Sequence, residues 1–273
     1  LCIYVMDDNN IGAHGIPDDL LAEALGKASL RLGISPEICQ AYRQKFGVPF
    51  HVLPPLVEER LVSTHPNLPE AAFVERRPGA LIGNVWSQKW LERLRHTVRG
   101  SGVKLTWYGN TQAQWLKYSQ EELAADGIQP VGFLPEEDLI ERLRWHPFAV
   151  IPSGSLDAED DRPELARLSL PSRVPYLAAV ASLPLLVLGS PETAAGHFVT
   201  RFQIGAVAPY ETQSFAQAVA RLNQPEEQHR LRHHAAALAS QLALPQPGQW
   251  IWDSLARGQP ADPRFENLFA DQA

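Results

Sequence analysis

From Gly79 onward, short apolar runs alternate with amphipathic stretches at a spacing that few architectures accept. The runs Ala80 to Ile82, Val103 to Tyr108, Gln129 to Phe133, Phe148 to Pro152, Leu183 to Leu188 and Ile204 to Val207 read as strands. Between them, Gln88 to Arg99, Gln112 to Tyr118, Glu136 to Trp145, Pro171 to Ala181 and Thr193 to Phe202 read as helices, with a polar loop after Pro152 and further helices from Phe215. A helix between successive strands predicts right-handed crossovers, and therefore one doubly wound parallel sheet with helices on both faces.

The first part of the chain is shorter and differently punctuated. Cys2 to Met6 reads as a strand ending at Asp7-Asp8, and Pro17-Asp18-Asp19 opens a helical pattern running through Leu20, Leu21, Ala24, Leu25, Ala28 and Leu32. Ser35-Pro36-Glu37 supplies an N-cap with proline at the first helical position, Gly47 ends that helix, and Phe50 to Leu53 reads as a short strand. The Pro-rich, aperiodic text from Glu58 to Pro78 has the character of an interdomain connection. The spacing therefore predicts four parts: residues 1–57, a linker 58–77, an α/β domain 78–245, and a tail 246–273 whose Trp250, Trp252, Phe265 and Phe269 should dock on something. Because the text opens on the buried-strand run at Leu1, it reads as beginning inside a fold.

Composition narrows the partners. With 45% hydrophobic and 20% charged residues the chain is globular, and a net charge of −7 leaves no basic field for a nucleic acid. Cys2 and Cys39 are too few for a disulfide framework or a thiolate metal site, which favours a reducing compartment such as the cytoplasm. Even Val174 to Leu188 is too short and too broken by Pro175 and Pro184 for a membrane span. His229 and His233 have helical spacing but lack the intervening glutamate of a zinc motif, so they read as a solvated face.

In an open parallel sheet, ligands bind beyond the carboxyl ends of the strands, so the loops there are the candidate site. Gly83 and Asn84 follow the first strand, and Lys89 sits early in the next helix, where a lysine and free N–H groups can meet a phosphate, although this window taken alone reads better as a plain turn with an exposed lysine. Gly109 ends the second strand, and Gly132-Phe133-Leu134 ends the third. Ser153 follows the fourth, and Ser169, Ser172 and Arg173 gather at the opening of a helix whose dipole favours an anion, though a plain N-cap with a surface arginine reads equally well there.

Taken in order, these loops resemble the donor-binding half of the retaining GT-B glycosyltransferases, the large family 4 type. In that family a strand ending in Gly-Arg precedes Lys-Gly, later strands end in a glycine and in Pro-Ser, and a Ser-x-Pro-Ser-Lys helix start precedes Tyr-Leu-Ala-Ala and a Leu-Pro strand. This chain has Gly83-Asn84 and Lys89, Gly109, Gly132-Phe133-Leu134, Pro152-Ser153, Ser169-Leu170-Pro171-Ser172-Arg173, Tyr176-Leu177-Ala178-Ala179 and Leu183-Pro184. The first 53 residues resemble the end of such an enzyme's N-terminal domain. Departures accompany the match: Asn84 stands where arginine is usual, and Arg167 and Pro175 align with the family's paired glutamates.

The resemblance implies a GT-B fold, with a doubly wound Rossmann-like donor domain and a truncated second Rossmann-like domain that holds the acceptor. It implies transfer of a sugar from a nucleotide-sugar donor to an acceptor, without a required metal or cofactor. Lys89, Arg173 and the helix start at Ser169 to Ser172 would neutralise the leaving diphosphate, the loop Gly132-Phe133-Leu134 would hold the nucleobase by backbone contacts, and Glu164 or the acidic run Asp157 to Asp161 would stand in for the sugar-contacting glutamate. The tail would cross back to the acceptor domain, and contact with a membrane surface would come through the part of that domain lying upstream. A non-catalytic GT-B-like scaffold and a sugar-nucleotide epimerase remain open alternatives.

Overall fold

A computed structural model describes residues 1–8, 10–13, 15–66, 77–110 and 116–270. Two parallel sheets organise the chain. The first contains β1 (Cys2–Val5), β2 (Leu30–Gly33) and β3 (His51–Val52) in that order. The second contains β4 (Gly79–Ile82), β5 (Leu105–Tyr108), β6 (Ile128–Pro130), β7 (Ala149–Pro152), β8 (Leu185–Leu188) and β9 (Gly205–Ala208), in the order β6-β5-β4-β7-β8-β9. The strand pairings of this sheet are parallel, and strand order reverses between β4 and β7, where a doubly wound sheet opens its crevice.

In the first unit, α1 (Asp18–Lys27) and α2 (Pro36–Phe46) flank the three strands. Helix α2 follows its punctuation: the Ser35 hydroxyl accepts from the Ile38 N–H, and Gly47 closes it in the left-handed region at φ 67°. The helical pattern read through Leu32 stops earlier. Ala28 is extended, and Leu30 and Leu32 are buried strand residues of β2, so a period of two replaces the helical period there. Leu30 and Leu32 fit either period; only pairing with β1 decides between them.

Around the larger sheet lie α3 (Gln88–Ser101), α4 (Gln120–Ala125), α5 (Glu136–Arg144), α6 (Pro163–Leu168), α7 (Arg173–Ala181), α8 (Ala194–Arg201), α9 (Thr212–Leu222) and α10 (Pro225–Ala239), followed by the tail helices α11 (Pro247–Arg257) and α12 (Arg264–Phe269). One of these, α6, corrects the sequence reading. The helix expected over 112–118 falls mostly outside the described residues, and the described helix there is α4, opened by a capping box between Ser119 and Glu122. The stretch read as a polar loop after Pro152 contains α6, started by Pro163. Helices α7 and α10 pack on one face of the sheet and α3 and α9 on the other, dividing its apolar interior into two layers. Among the described residues no helix is long and apolar enough to cross a membrane.

The 57–63 stretch is strapped to the second unit. Val57 bonds to Leu242 at 3.0 Å, Ser63 bonds to Ala179 at 2.8 Å, and Leu61 and Val62 pack on the core. Residues 67–76 of the proline-rich connection lie outside the described residues. The tail packs on the first unit through Trp250 and Phe265, which cluster with Leu30, Leu32 and Leu53, whereas Trp252 is 66% exposed and joins no core.

His146 illustrates how polar groups are held inside this sheet. Its Nδ1 lies 2.7 Å from the carbonyl oxygen of Pro78, which can only accept, so Nδ1 carries a proton and, in the neutral ring, Nε2 accepts from the Tyr108 hydroxyl at 2.8 Å. Burial pushes the His146 pKa below the usual imidazole value, since the charged ring loses solvation. Below about pH 6.5 the unfolded chain takes up a proton that the folded one refuses, so stability falls with falling pH until the folded value is reached. The unfolding free energy from urea titrations should drop by up to about 1.4 kcal/mol per pH unit in this window. A His146→Gln variant should show a flatter profile; equal slopes would mean that the ring is not the titrating group.

Candidate functional site

The loops beyond β4, β7 and α6 meet the first unit around a cleft of about 530 Å³. The larger unit lines it with Gly83, Asn84, Trp86, Trp90, Ser153, Ser169, Ser172 and Arg173, and the first unit brings in Met6, Asp7 and Ile34 from the ends of β1 and β2. The cleft is therefore an interunit feature.

The turn after β4 is held from three sides. Gly83 has φ 70°, its N–H donates to Tyr108 O at 2.8 Å, and its carbonyl accepts from Trp107 Nε1 at 2.8 Å. Arg173 reaches the same turn from α7, donating from Nη1 to the Ile82 carbonyl at 2.8 Å and from Nη2 to the Asn84 carbonyl. Gly109 makes the approach of β5 possible, because a Cβ there would stand 2.6 Å from the Gly83 carbonyl oxygen. Ser153 is clamped by Tyr210, whose hydroxyl donates to the Ser153 carbonyl at 2.9 Å; burial drives the Tyr210 pKa upward, so it stays a proton donor.

Arg173 is only 9% exposed, and loss of solvation lowers its pKa to about 10, still far enough above neutrality to keep the guanidinium charged. It thus places a positive charge behind the cleft wall while acting as a strut. Helix α7 begins beside it with no acidic residue in its first turn and no side-chain cap from Ser172, which leaves the positive end of the dipole uncompensated by its own sequence. Ser169, one turn before, is 6% exposed, lines the cleft, and its hydroxyl has no hydrogen-bond partner among the described residues. A buried hydroxyl left unpaired costs about 1–3 kcal/mol unless something outside the protein satisfies it.

Five residues singled out from the sequence do not line this cleft. Lys89 lies in a separate depression with Glu92, Arg95, His96 and Arg99, so it does not converge with Arg173 on one anion. The reason is α3's rotation: its buried face, with Trp90, Leu91 and Leu94, turns Lys89 outward. Gly109 lies behind the wall. Phe133 is 76% exposed and Leu134 packs on the core near the β6 edge. Glu164 rests over Gly12 of the first unit, close enough that a Cβ on that glycine would stand 2.2 Å from the Glu164 Cγ.

The acidic run is also committed elsewhere. Asp157 pairs with Arg93 at 2.7 Å, Asp160 accepts from Trp90 Nε1 at 2.9 Å, and Asp161 accepts from the Ser87 hydroxyl, so the run seals the start of α3 rather than entering the cleft. The Arg93 guanidinium holds the Asp157 carboxyl down at about 2. Among the described residues the one carboxylate lining the cleft is Asp7, which the sequence reading places at the end of a strand without marking it as a site residue. The rule that ligands sit beyond strand ends, applied to β1 as well as to the larger sheet, would have found it.

No known family model matches this chain, and no curated protein does either. Solved structures of glycosyltransferases do match it in shape, and they share the GT-B fold, which is the fold of this chain. Trehalose-phosphate synthase (UDP-forming) from Burkholderia vietnamiensis aligns with a TM-score of 0.59 at 12% identity, covering 88% of this chain and 63% of its own. Sucrose-phosphate synthase from Thermosynechococcus elongatus aligns with a TM-score of 0.57 at 14% identity, over 92% of this chain and 61% of its own. MurG from Acinetobacter baumannii gives 0.53 at 15% identity, over 87% and 69%. The chain spans about half to two thirds of the length of such neighbours.

Proposed function

We propose that this chain carries the nucleotide-sugar donor site of a glycosyltransferase of the retaining GT-B type, with residues 78–245 as donor domain and residues 1–57 as the adjoining edge of the acceptor domain. The observation that carries the reading is the unpartnered, buried Ser169 hydroxyl lining the cleft beside the start of α7. A phosphate oxygen there would accept from Ser169 and sit at the positive end of the helix, with the Arg173 charge behind it. Charge growing on the departing diphosphate would be stabilised by these fixed groups, which are oriented before the reaction begins. Asp7, which also lines the cleft, would accept hydrogen bonds from sugar hydroxyls in place of the absent glutamate pair. The chemistry so described draws on no metal or cofactor, the acceptor is held by the upstream unit, and the two free thiols fit a cytoplasmic setting. The commitment of Arg173 and of the acidic run to structural bonds favours one alternative, a binding domain without turnover.

Calorimetric titration with uridine and guanosine diphosphates, and with their sugar conjugates, tests the reading. Ser169→Ala should weaken diphosphate binding by about 1.5–3 kcal/mol, the worth of a charge-assisted bond, while leaving stability unchanged or slightly raised because no internal bond is lost. Equal binding by variant and parent would remove Ser169 from the site. Binding of the diphosphates with no transfer or donor hydrolysis by the full-length protein would select the scaffold alternative.

A further inference from the structure

The outer face of α10 carries a pair of imidazoles that neither the cleft nor the core uses. His229 and His233 lie four residues apart and project from the same side of consecutive turns. Their Nε2 atoms face each other at 3.0 Å, with ring centroids 4.2 Å apart. Two neutral rings meet this way when one Nε2–H donates to the lone pair of the other. That bond points a lone pair at the facing nitrogen; once the donor ring moves its proton to Nδ1, a small tilt of both rings turns the two Nε2 lone pairs onto one ion beside them.

The helix beneath is fixed in place by its opposite face. Gln228 donates to the carbonyls of Pro147 and Leu222, both at 2.7 Å, and the fully buried Arg232 donates to Gln228 at 2.8 Å and to the His146 carbonyl at 2.7 Å. Each residue that anchors the helix immediately precedes one of the two histidines in sequence. The spacing of the imidazoles is therefore set by a rigid scaffold rather than by a loop.

We propose that His229 and His233 form a bidentate site for a divalent transition-metal ion that prefers right-angle coordination, Cu(II) foremost and Ni(II) next. With metal–nitrogen bonds of about 2.0–2.1 Å, the 3.0 Å separation closes an N–metal–N angle of about 94°. That suits tetragonal or square-planar sites, whereas a tetrahedral zinc ion would require the nitrogens about 3.3–3.4 Å apart. Among the described residues no three His, Cys, Asp or Glu side chains converge on an ion, so water completes the shell and the ion exchanges readily. The site is independent of the donor cleft.

Titration of the whole chain with Cu(II), Ni(II) and Zn(II) in a non-coordinating buffer, read by calorimetry and by electron paramagnetic resonance for copper, tests the proposal. The parent should bind one Cu(II) at this face with two imidazole nitrogens in its spectrum, and Ni(II) should bind more tightly than Zn(II). His229→Ala and His233→Ala should each weaken copper binding at least tenfold and remove one nitrogen from the spectrum. His234→Ala should change neither, because that ring bonds through Nδ1 to the Gln203 carbonyl at 3.0 Å instead. Circular dichroism checks that the variants stay folded, as expected for exposed positions. Unchanged copper affinity in both alanine variants would overturn the site, and tighter binding of Zn(II) than of Ni(II) would overturn its geometry.

Discussion

Arg173→Ala is expected to destabilise the protein by about 3–5 kcal/mol, because two buried carbonyls lose their donor at about 1–3 kcal/mol each and a void opens beside them. The guanidinium sits 9% exposed between α7 and the end of β4, and it satisfies the carbonyls of Ile82 and Asn84 at once. Alanine leaves both oxygens without that donor and opens a void where the side chain stood. The turn that those carbonyls shape, Gly83-Asn84, forms one lip of the cleft, so the loss should also abolish diphosphate binding. Urea unfolding of the variant beside the parent measures the effect. A protein as stable as the parent but unable to bind diphosphate would assign Arg173 to the ligand instead. Lysine should not rescue, because one ammonium cannot reproduce the planar fork that reaches two carbonyls.

Phe265→Ala should cost about 3–5 kcal/mol, the usual range for emptying a fully buried aromatic site. Phe265 is 0% exposed and meets Trp250 edge-on at a centroid distance of 5.6 Å, and both pack on Leu30, Leu32 and Leu53. The tail thus closes over the strands of the smaller sheet, which among the described residues has three strands and little area to bury. Hydrogen exchange should therefore show β1 to β3 losing protection in this variant while β4 to β9 keep theirs. Loss spread evenly over both sheets would mean that the two units unfold as one.

The βα alternation after Gly79 was legible because it depends on local periodicity and on punctuation by proline, glycine and capping serines. The strand starts that it implies lie within two residues of those observed, and the parallel order follows from the handedness of the crossovers. Where the text was ambiguous it misled. Leu30 and Leu32 continue a helical spacing as well as they begin a strand, and only the neighbouring β1 makes the strand the better solution. Helix α6 is six residues long and opens on a proline within polar text, a pattern that leaves too little periodicity to distinguish it from a loop.

At the site, the backbone features were readable and the side-chain directions were not. The glycine turns and the serines around Pro171 declare themselves by residue type, since a left-handed turn and a helix start demand particular chemistry. Lys89 and Arg173 are both basic and both stand near the ends of strands, yet one faces a separate surface depression and the other is locked under a turn. That difference comes from how far each helix is rotated about its axis, which is set by the sum of its apolar contacts with the sheet. By itself the sequence determined a doubly wound parallel sheet, its loops and the residues able to meet an anion, because those follow from local pattern. Which of these residues share a cleft, that Asp7 joins them from the first unit, and that the acidic run turns away to α3 were decided by tertiary packing, because convergence in space depends on contacts between segments many residues apart.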